Sequence, residues 1–203
     1  MKIKVCGMKH PNQVNDLDSL VDFIGFIFHE KSPRFVESVP TSGQAHRVGV
    51  FVHEELTSLE MLVKKYSLDY VQLHGSESPE YCAEASDVAK VIKAFGIDEE
   101  FQFDRLAAYE HVDLFLFDTK TILHGGSGKQ FDWSLLNSYT GNVPFLLSGG
   151  INPSSVEAIK TISHSRFYGV DLNSGFESIP GNKNIELINT FIDAIKDRII
   201  YKA

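Results

Sequence analysis

Leu114-Phe115-Leu116-Phe117-Asp118-Thr119-Lys120, followed shortly by His124-Gly125-Gly126-Ser127-Gly128-Lys129-Gln130-Phe131-Asp132-Trp133, is the stretch on which the fold turns. An apolar run ends on a carboxylate, Asp118, and a glycine-dense loop follows it. A strand that carries one acid to its end, beneath a mobile cover, is the layout of an active site in a parallel α/β protein. The rest of the chain then has to supply the other strands and a partner for Asp118.

Working outward, apolar runs rich in β-branched and aromatic residues recur at Ile3–Cys6, Phe23–Phe28, Arg47–Val52, Tyr70–Leu73, Val91–Phe95, Leu114–Asp118, Phe145–Ser148 and Phe167–Asp171. Several are nearly continuous in apolar residues, as strands covered on both faces should be. Helix signals lie between them. Leu56, Leu59, Val63 and Tyr66 share a helical face, and Ser78-Pro79 and Asn152-Pro153 read as N-caps followed by proline at the first helical position. Ile185, Ile188, Phe191, Ile192, Ile195 and Ile199 fall at the spacing of an amphipathic closing helix. Eight such alternations favour a single (β/α)8 TIM barrel spanning residues 1–203 over an open sheet. One unit is irregular. Between Phe35 and Arg47 the chain is short and holds Pro40 and Gly43, so a short or irregular second helix is expected there.

The bulk properties agree. The 203 residues suit one α/β barrel, a fold that begins at about 200 residues. A net charge of −8 argues against nucleic acid as a partner, yet leaves room for a small anionic substrate held by local donors. The start, Met1-Lys2-Ile3-Lys4-Val5-Cys6-Gly7, has no apolar core of signal-peptide length, and no run approaches the roughly 20 apolar residues of a membrane span. Two cysteines, Cys6 and Cys82, are too few for a disulfide scaffold, so a cytoplasmic location is expected, with no membrane partner.

In such a barrel the chemistry sits just past the strand ends. Ser148-Gly149-Gly150 and Asn173-Ser174-Gly175 follow the last two strands and offer unobstructed backbone amides to a phosphate. Each loop alone would read as a tight turn, but two at the expected strands favour phosphate binding. Arg34 follows the second strand, where its guanidinium suits a planar carboxylate or simply faces solvent. Cys6 ends the first strand. It reads either as a small buried hydrophobe or as a thiolate acting as base or nucleophile. Cys82, on a helix after Pro79, is expected to face the core. Gln72 and His74 are expected to line the pocket, and no histidine pair has zinc-binding spacing, so no metal is implied.

These residues, in this order, resemble the phosphoribosylanthranilate isomerase family nearly end to end. The matching segments are Lys4-Val5-Cys6-Gly7, Gly25-Phe26 with Ser32-Pro33-Arg34, Val48 to Val52, and Val71-Gln72-Leu73-His74-Gly75. They continue with Asp118 before Gly125-Gly126-Ser127-Gly128, Phe131-Asp132-Trp133, Gly149-Gly150, Gly169-Val170-Asp171, Ser174-Gly175, Glu177 and Gly181. The resemblance implies an Amadori rearrangement of N-(5-phosphoribosyl)anthranilate, without cofactor or metal. It implies Cys6 as general base, Asp118 as general acid and Arg34 as holder of the anthranilate carboxylate. Gly149, Gly150, Asn173, Ser174 and Gly175 would then surround the phosphate, with Asp171 on the sugar side. Asn173 stands where a serine is common in the family, and it retains a donor. Association with other tryptophan-pathway enzymes has no readable signal, and Lys129 takes no assignment.

The reaction needs a proton on the furanose ring oxygen and another removed from the neighbouring sugar carbon, so an acid and a base must face each other across the sugar. The base role asks for a downward shift of the Cys6 thiol from its usual value near 8.5. Two other readings compete. A histidine-pathway isomerase would place an aspartate where Cys6 stands, and a noncatalytic phosphoribosyl sensor would have no reason to keep both Cys6 and Asp118.

Overall fold

In a computed structural model, eight parallel strands close into a barrel in chain order. The structure describes residues 1–40, 43–120 and 131–196. The strands are β1 (Lys2–Val5), β2 (Phe23–Ile27), β3 (His46–Phe51), β4 (Tyr70–Leu73), β5 (Lys90–Ile97), β6 (Leu114–Thr119), β7 (Phe145–Leu147) and β8 (Phe167–Leu172). Each overlaps an expected apolar run, and β1 pairs with β8 in the register Lys4↔Asp171. The expected lid residues, Lys129 among them, and Ile199 of the closing helix lie outside the described residues.

Side chains alternate between the two faces of a strand. Phe23, Val48, Tyr70, Ile92, Ala94, Leu114, Leu116 and Leu146 form one buried cluster. It is the barrel's interior, because these residues share strand parity. The opposite parity, including Ile3, Val5, Ile24, Val71, Phe115 and Leu147, joins a larger cluster with the surrounding helices. The same alternation turns Gln72 and Asp118 toward the interior, in line with Tyr70 and Leu116, and Lys4 and Asp171 meet there as a buried pair.

The outer layer is less regular than the expected alternation. The α-helices are α1 (Pro11–Leu17), α2 (Leu56–Tyr66), α3 (Pro79–Ser86), α4 (Val156–Thr161) and α5 (Ile185–Lys196). Between β2 and β3 the described residues contain no helix, where a short or irregular one was expected; Phe35 instead makes an isolated bridge to Ile27. The connections after β5 and β6 depart from expectation, since each carries a six-residue 3-10 helix, Phe103–Ala108 and Trp133–Ser138. Aromatic packing accounts for this. Phe95, Phe101, Phe103, Phe117 and Tyr139 meet in edge-to-face contacts that cover the strands where an α-helix would otherwise lie.

The predicted caps are in place. Ser78 accepts a hydrogen bond from the Tyr81 amide at the start of α3. Asn152 closes a reciprocal capping box with Ser155 ahead of α4. Asp132 caps Trp133–Ser138 through the Ser134 amide. Cys82 is fully buried on α3. An antiparallel pair, β9 (Glu177–Ile179) and β10 (Asn182–Lys183), follows β8 and had no counterpart in the sequence reading.

Candidate active site

Asp118 is the fifth residue of β6, and its side chain stays partly accessible at the interior end of the strand. Its Oδ1 accepts from the Thr119 amide at 2.8 Å, and its Oδ2 lies 3.5 Å from His74 Nε2. His74 follows β4, and its Nδ1 is 2.9 Å from Gln72 Nε2. With the Gln72 amide donating to Nδ1, the ring proton sits on Nε2 and points at Asp118. Gln72 Oε1 is buried without a partner among the described residues. Gln72 and His74 thereby form a chain of contacts that ends at Asp118.

Gly149 fits closely against this acid. Its φ is +83°, and a methyl group there would stand 2.7 Å from Asp118 Oδ1 and 2.4 Å from Thr119 Oγ1. Only glycine permits both the left-handed backbone and the close approach. The β7 loop is thereby held against the acid at the end of β6. Gly175 does the same between the two candidate phosphate loops, where a methyl group would lie 2.2 Å from the Ile151 carbonyl oxygen. Gly149, Gly150, Ser174 and Gly175 are consequently neighbours across one rim, with a 3-10 turn starting at Ser174.

Cys6 lies one residue past β1, 3% exposed. Below it on the same face, Lys4 Nζ donates to both oxygens of Asp171 at 3.0 Å, inside the barrel. Burial pushes the Cys6 thiol up from its ordinary value, against the downward pull of the Lys4 and Lys183 ammonium groups. This opposes the downward shift that the base role asks for, because the buried position is far less hydrated than an open rim would be. Burial also drives the Asp171 carboxyl up, with Lys4 opposing it. Asp171 faces the barrel interior, and its carboxylate is engaged by Lys4.

Arg34 is held differently from the expected solvent-facing or substrate-only arginine. Its Nε and Nη2 reach Glu177, with the shortest contact at 2.6 Å from Nη2 to Oε2. Glu177, whose side chain is 3% exposed, also accepts from Lys183 Nζ at 2.6 Å and from the Gly181 amide at 3.0 Å. Two cations share one carboxylate, which leaves one positive charge uncompensated beside Cys6. The two bonds fix the guanidinium plane and leave Nη1 for another acceptor. Asn173 Oδ1 accepts from Lys183 Nζ at 2.8 Å, so its side chain is turned toward this cluster and its contribution to the phosphate loop would come from the backbone.

Burial raises the Glu177 carboxyl, but the Arg34 hydrogen bond and the Lys183 charge outweigh it and hold the group below the usual range. Glu77 is likewise lowered, with burial opposed by Lys93. Both groups therefore contribute stability that is present above the ordinary glutamate value near 4.3 and lost as pH falls through the lower folded value. Urea unfolding of Glu177→Gln should show a shallower loss of stability on acidification than the unsubstituted protein; an unchanged acid slope would contradict the clamp.

Sequence reasoning missed Lys4, Lys183 and the role of Glu177. Lys4 had a readable signal. Lys2-Ile3-Lys4-Val5 alternates polar and apolar, and in a strand covered on both faces the polar parity has to point into the barrel. Lys183 had none, because its strand forms only against β9. A separate cleft of about 370 Å³, lined by Lys93, Gly96, Arg105, Tyr109 and Lys120, lies by β5 and contains none of the candidate site residues.

Comparison with known proteins bears on this constellation. The family model described as N-(5'phosphoribosyl)anthranilate (PRA) isomerase matches residues 3–194. A curated relative from Parabacteroides distasonis named N-(5'-phosphoribosyl)anthranilate isomerase is 48% identical, over 96% of this chain and 93% of its own. The crystal structure of phosphoribosyl anthranilate isomerase from Thermotoga maritima superposes with a TM-score of 0.82 at 35% identity, covering 97% of this chain and 99% of that one. A second solved structure of such an isomerase, in complex with reduced 1-(o-carboxyphenylamino)-1-deoxyribulose 5-phosphate, superposes with a TM-score of 0.78 at 31% identity, over 97% and 99% of the two chains.

Proposed function

The chain belongs to the N-(5'-phosphoribosyl)anthranilate isomerase family, and from that premise we propose how its residues divide the reaction. The enzyme converts N-(5-phosphoribosyl)anthranilate to 1-(2-carboxyphenylamino)-1-deoxyribulose 5-phosphate, an aldose–ketose isomerisation in tryptophan biosynthesis. Asp118 donates a proton to the furanose ring oxygen, and the ring opens to an imine. Cys6 then removes the proton from the neighbouring sugar carbon. The resulting enolamine tautomerises to the aminoketose. The whole chain serves as one catalytic domain, acting in the cytoplasm; among the described residues no helix is long and apolar enough to cross a membrane.

One observation carries this division of labour. Cys6 and Asp118 come from strands β1 and β6 and lie at the same interior end of the barrel. Three strand spacings separate them, about 14 Å along the wall. A sugar held between them can meet the acid on one side and the base on the other. His74 Nε2, 3.5 Å from Oδ2 of Asp118, orients the carboxyl toward the ring oxygen. The phosphate sits against the loops at Gly149, Gly150, Asn173, Ser174 and Gly175, where the glycines put no side chain in its way.

The Arg34–Glu177–Lys183 cluster supplies the carboxylate site. Its single uncompensated charge attracts the anthranilate carboxylate, and Glu177 holds the guanidinium in the plane that bidentate recognition needs. Glu177→Gln should accordingly raise KM about tenfold while changing kcat much less, since one hydrogen bond to a charged group is worth about 1.5–3 kcal/mol. A fall confined to kcat would place Glu177 elsewhere in the cycle. The overall activity is tested by generating phosphoribosylanthranilate in situ and following the loss of its fluorescence when the protein is added. No acceleration by well-folded protein would overturn the reading.

A further inference from the structure

Lys4 and Asp171 form an ion pair that the reaction scheme leaves unused. Lys4 is 0% and Asp171 4% exposed at the side chain, and the ammonium bonds both carboxylate oxygens at 3.0 Å. Cys6 lies two residues beyond Lys4, on the same face of the chain. Gly25 on β2 shows how near the two groups are. A methyl group added there would stand 2.9 Å from Cys6 Sγ and 3.2 Å from Lys4 Nζ, so both atoms border one point. One cation thus faces two acids, in a place where a second unpaired anion would be costly.

We propose that Lys4 is the counter-ion of the Cys6 thiolate and that Asp171 competes for it, so that the two acids together carry one negative charge at neutral pH. This deepens the reading of Cys6 as the base and rests on it. When the thiolate forms, the sulfur's proton passes to the Asp171 carboxylate, which becomes a neutral acid. Lys4 stays an ammonium throughout, and the net charge of the trio does not change. The base is made without placing an extra charge inside the barrel. Asp171 is then a positioning residue for a proton, acting through Lys4 and Cys6.

The electrostatic directions agree with one shared charge. Burial pushes Cys6 and Asp171 both upward against the pull of Lys4. Lys4 is drawn down by burial, yet its two acidic neighbours hold it above its ordinary value. The other charged groups facing the trio are Lys183, which favours the thiolate, and Asp118 and His74, which act on Asp171 in opposite senses.

The test is the far-ultraviolet absorbance of the thiolate followed against pH, each protein being read as a difference from its own Cys6→Ser form. Lys4→Met removes the counter-ion and should move the Cys6 titration to higher pH. Asp171→Asn removes the competitor and should move it to lower pH, each by about 1–3 units. Opposite signs are the signature of the competition. Shifts in the same direction, or none, would overturn it, because loss of a merely structural ion pair has no reason to separate the two variants. Should Lys4→Met not fold, Asp171→Asn and the charge-keeping Lys4→Arg decide alone, the first moving to lower pH and the second staying near the unsubstituted protein. The titration reads the charge sharing and the turnover of Cys6→Ser reads the base role, so failure of one is distinguishable from failure of the other.

Discussion

Cys6→Ser is expected to lower kcat by roughly 10²–10⁴-fold, the range that general acid–base catalysis supplies, with KM changed only a few-fold. A hydroxyl fills nearly the space of the thiol, so the 3% exposed site should fold as before. What is lost is the base. A serine hydroxyl ionises far above any working pH, and the Lys4 ammonium beneath it cannot bring that within reach. Steady-state kinetics with fluorescence detection would show the loss in kcat and in kcat/KM alike, as for an interaction made only in the transition state. Near-normal turnover would exclude the cysteine mechanism.

Asp118→Asn is expected to produce a loss of similar size for a different reason. The amide oxygen can still accept from the Thr119 amide, now 2.8 Å from Asp118 Oδ1, so the local turn should survive. The carboxyl proton is gone, and ring opening has no donor. The proposal assigns the two residues to different steps, yet substrate passes through both, so the double variant should be little slower than the slower single one. A multiplicative loss would point to an uncatalysed route that each residue accelerates separately. Retention of most turnover in Asp118→Asn would remove the acid from this position.

Much of this arrangement was legible in the chain, and the limits of legibility have physical causes. The strands were readable because a barrel strand is covered on both faces, so its apolar run is nearly unbroken. Asp118 stood out as the polar end of such a run, and the caps at Ser78, Asn152 and Asp132 were local side-chain-to-amide bonds that need no tertiary context. The 3-10 helices at Phe103–Ala108 and Trp133–Ser138 were not readable. Their form follows from aromatic rings that meet across the outer layer, and such contacts join residues far apart in the chain.

The site divided along the same line. Cys6, Asp118 and the glycine loops are rim positions that a strand end identifies. The charges that tune them are not. Glu177 reaches Arg34 over 143 residues, and Lys4 meets Asp171 over 167. Arg34 looked like a loop arginine because its partner is placed by β9, a strand too short to announce itself. The burial that opposes the downward shift asked of the Cys6 thiol is hidden from the sequence for a related reason. A strand end alone does not tell a hydrated rim from a buried one, and here burial outweighs the pull of Lys4 on the sulfur.

The central claim is that Cys6 and Asp118 act as base and acid from opposite sides of the sugar. Its most direct measurement is the decay of phosphoribosylanthranilate fluorescence, generated in situ, with equal amounts of the unsubstituted protein and of a folded Cys6→Ser/Asp118→Asn double variant. The account predicts rapid decay with the first and, with the second, decay slower by roughly 10²–10⁴-fold. Comparable decay with both would contradict it.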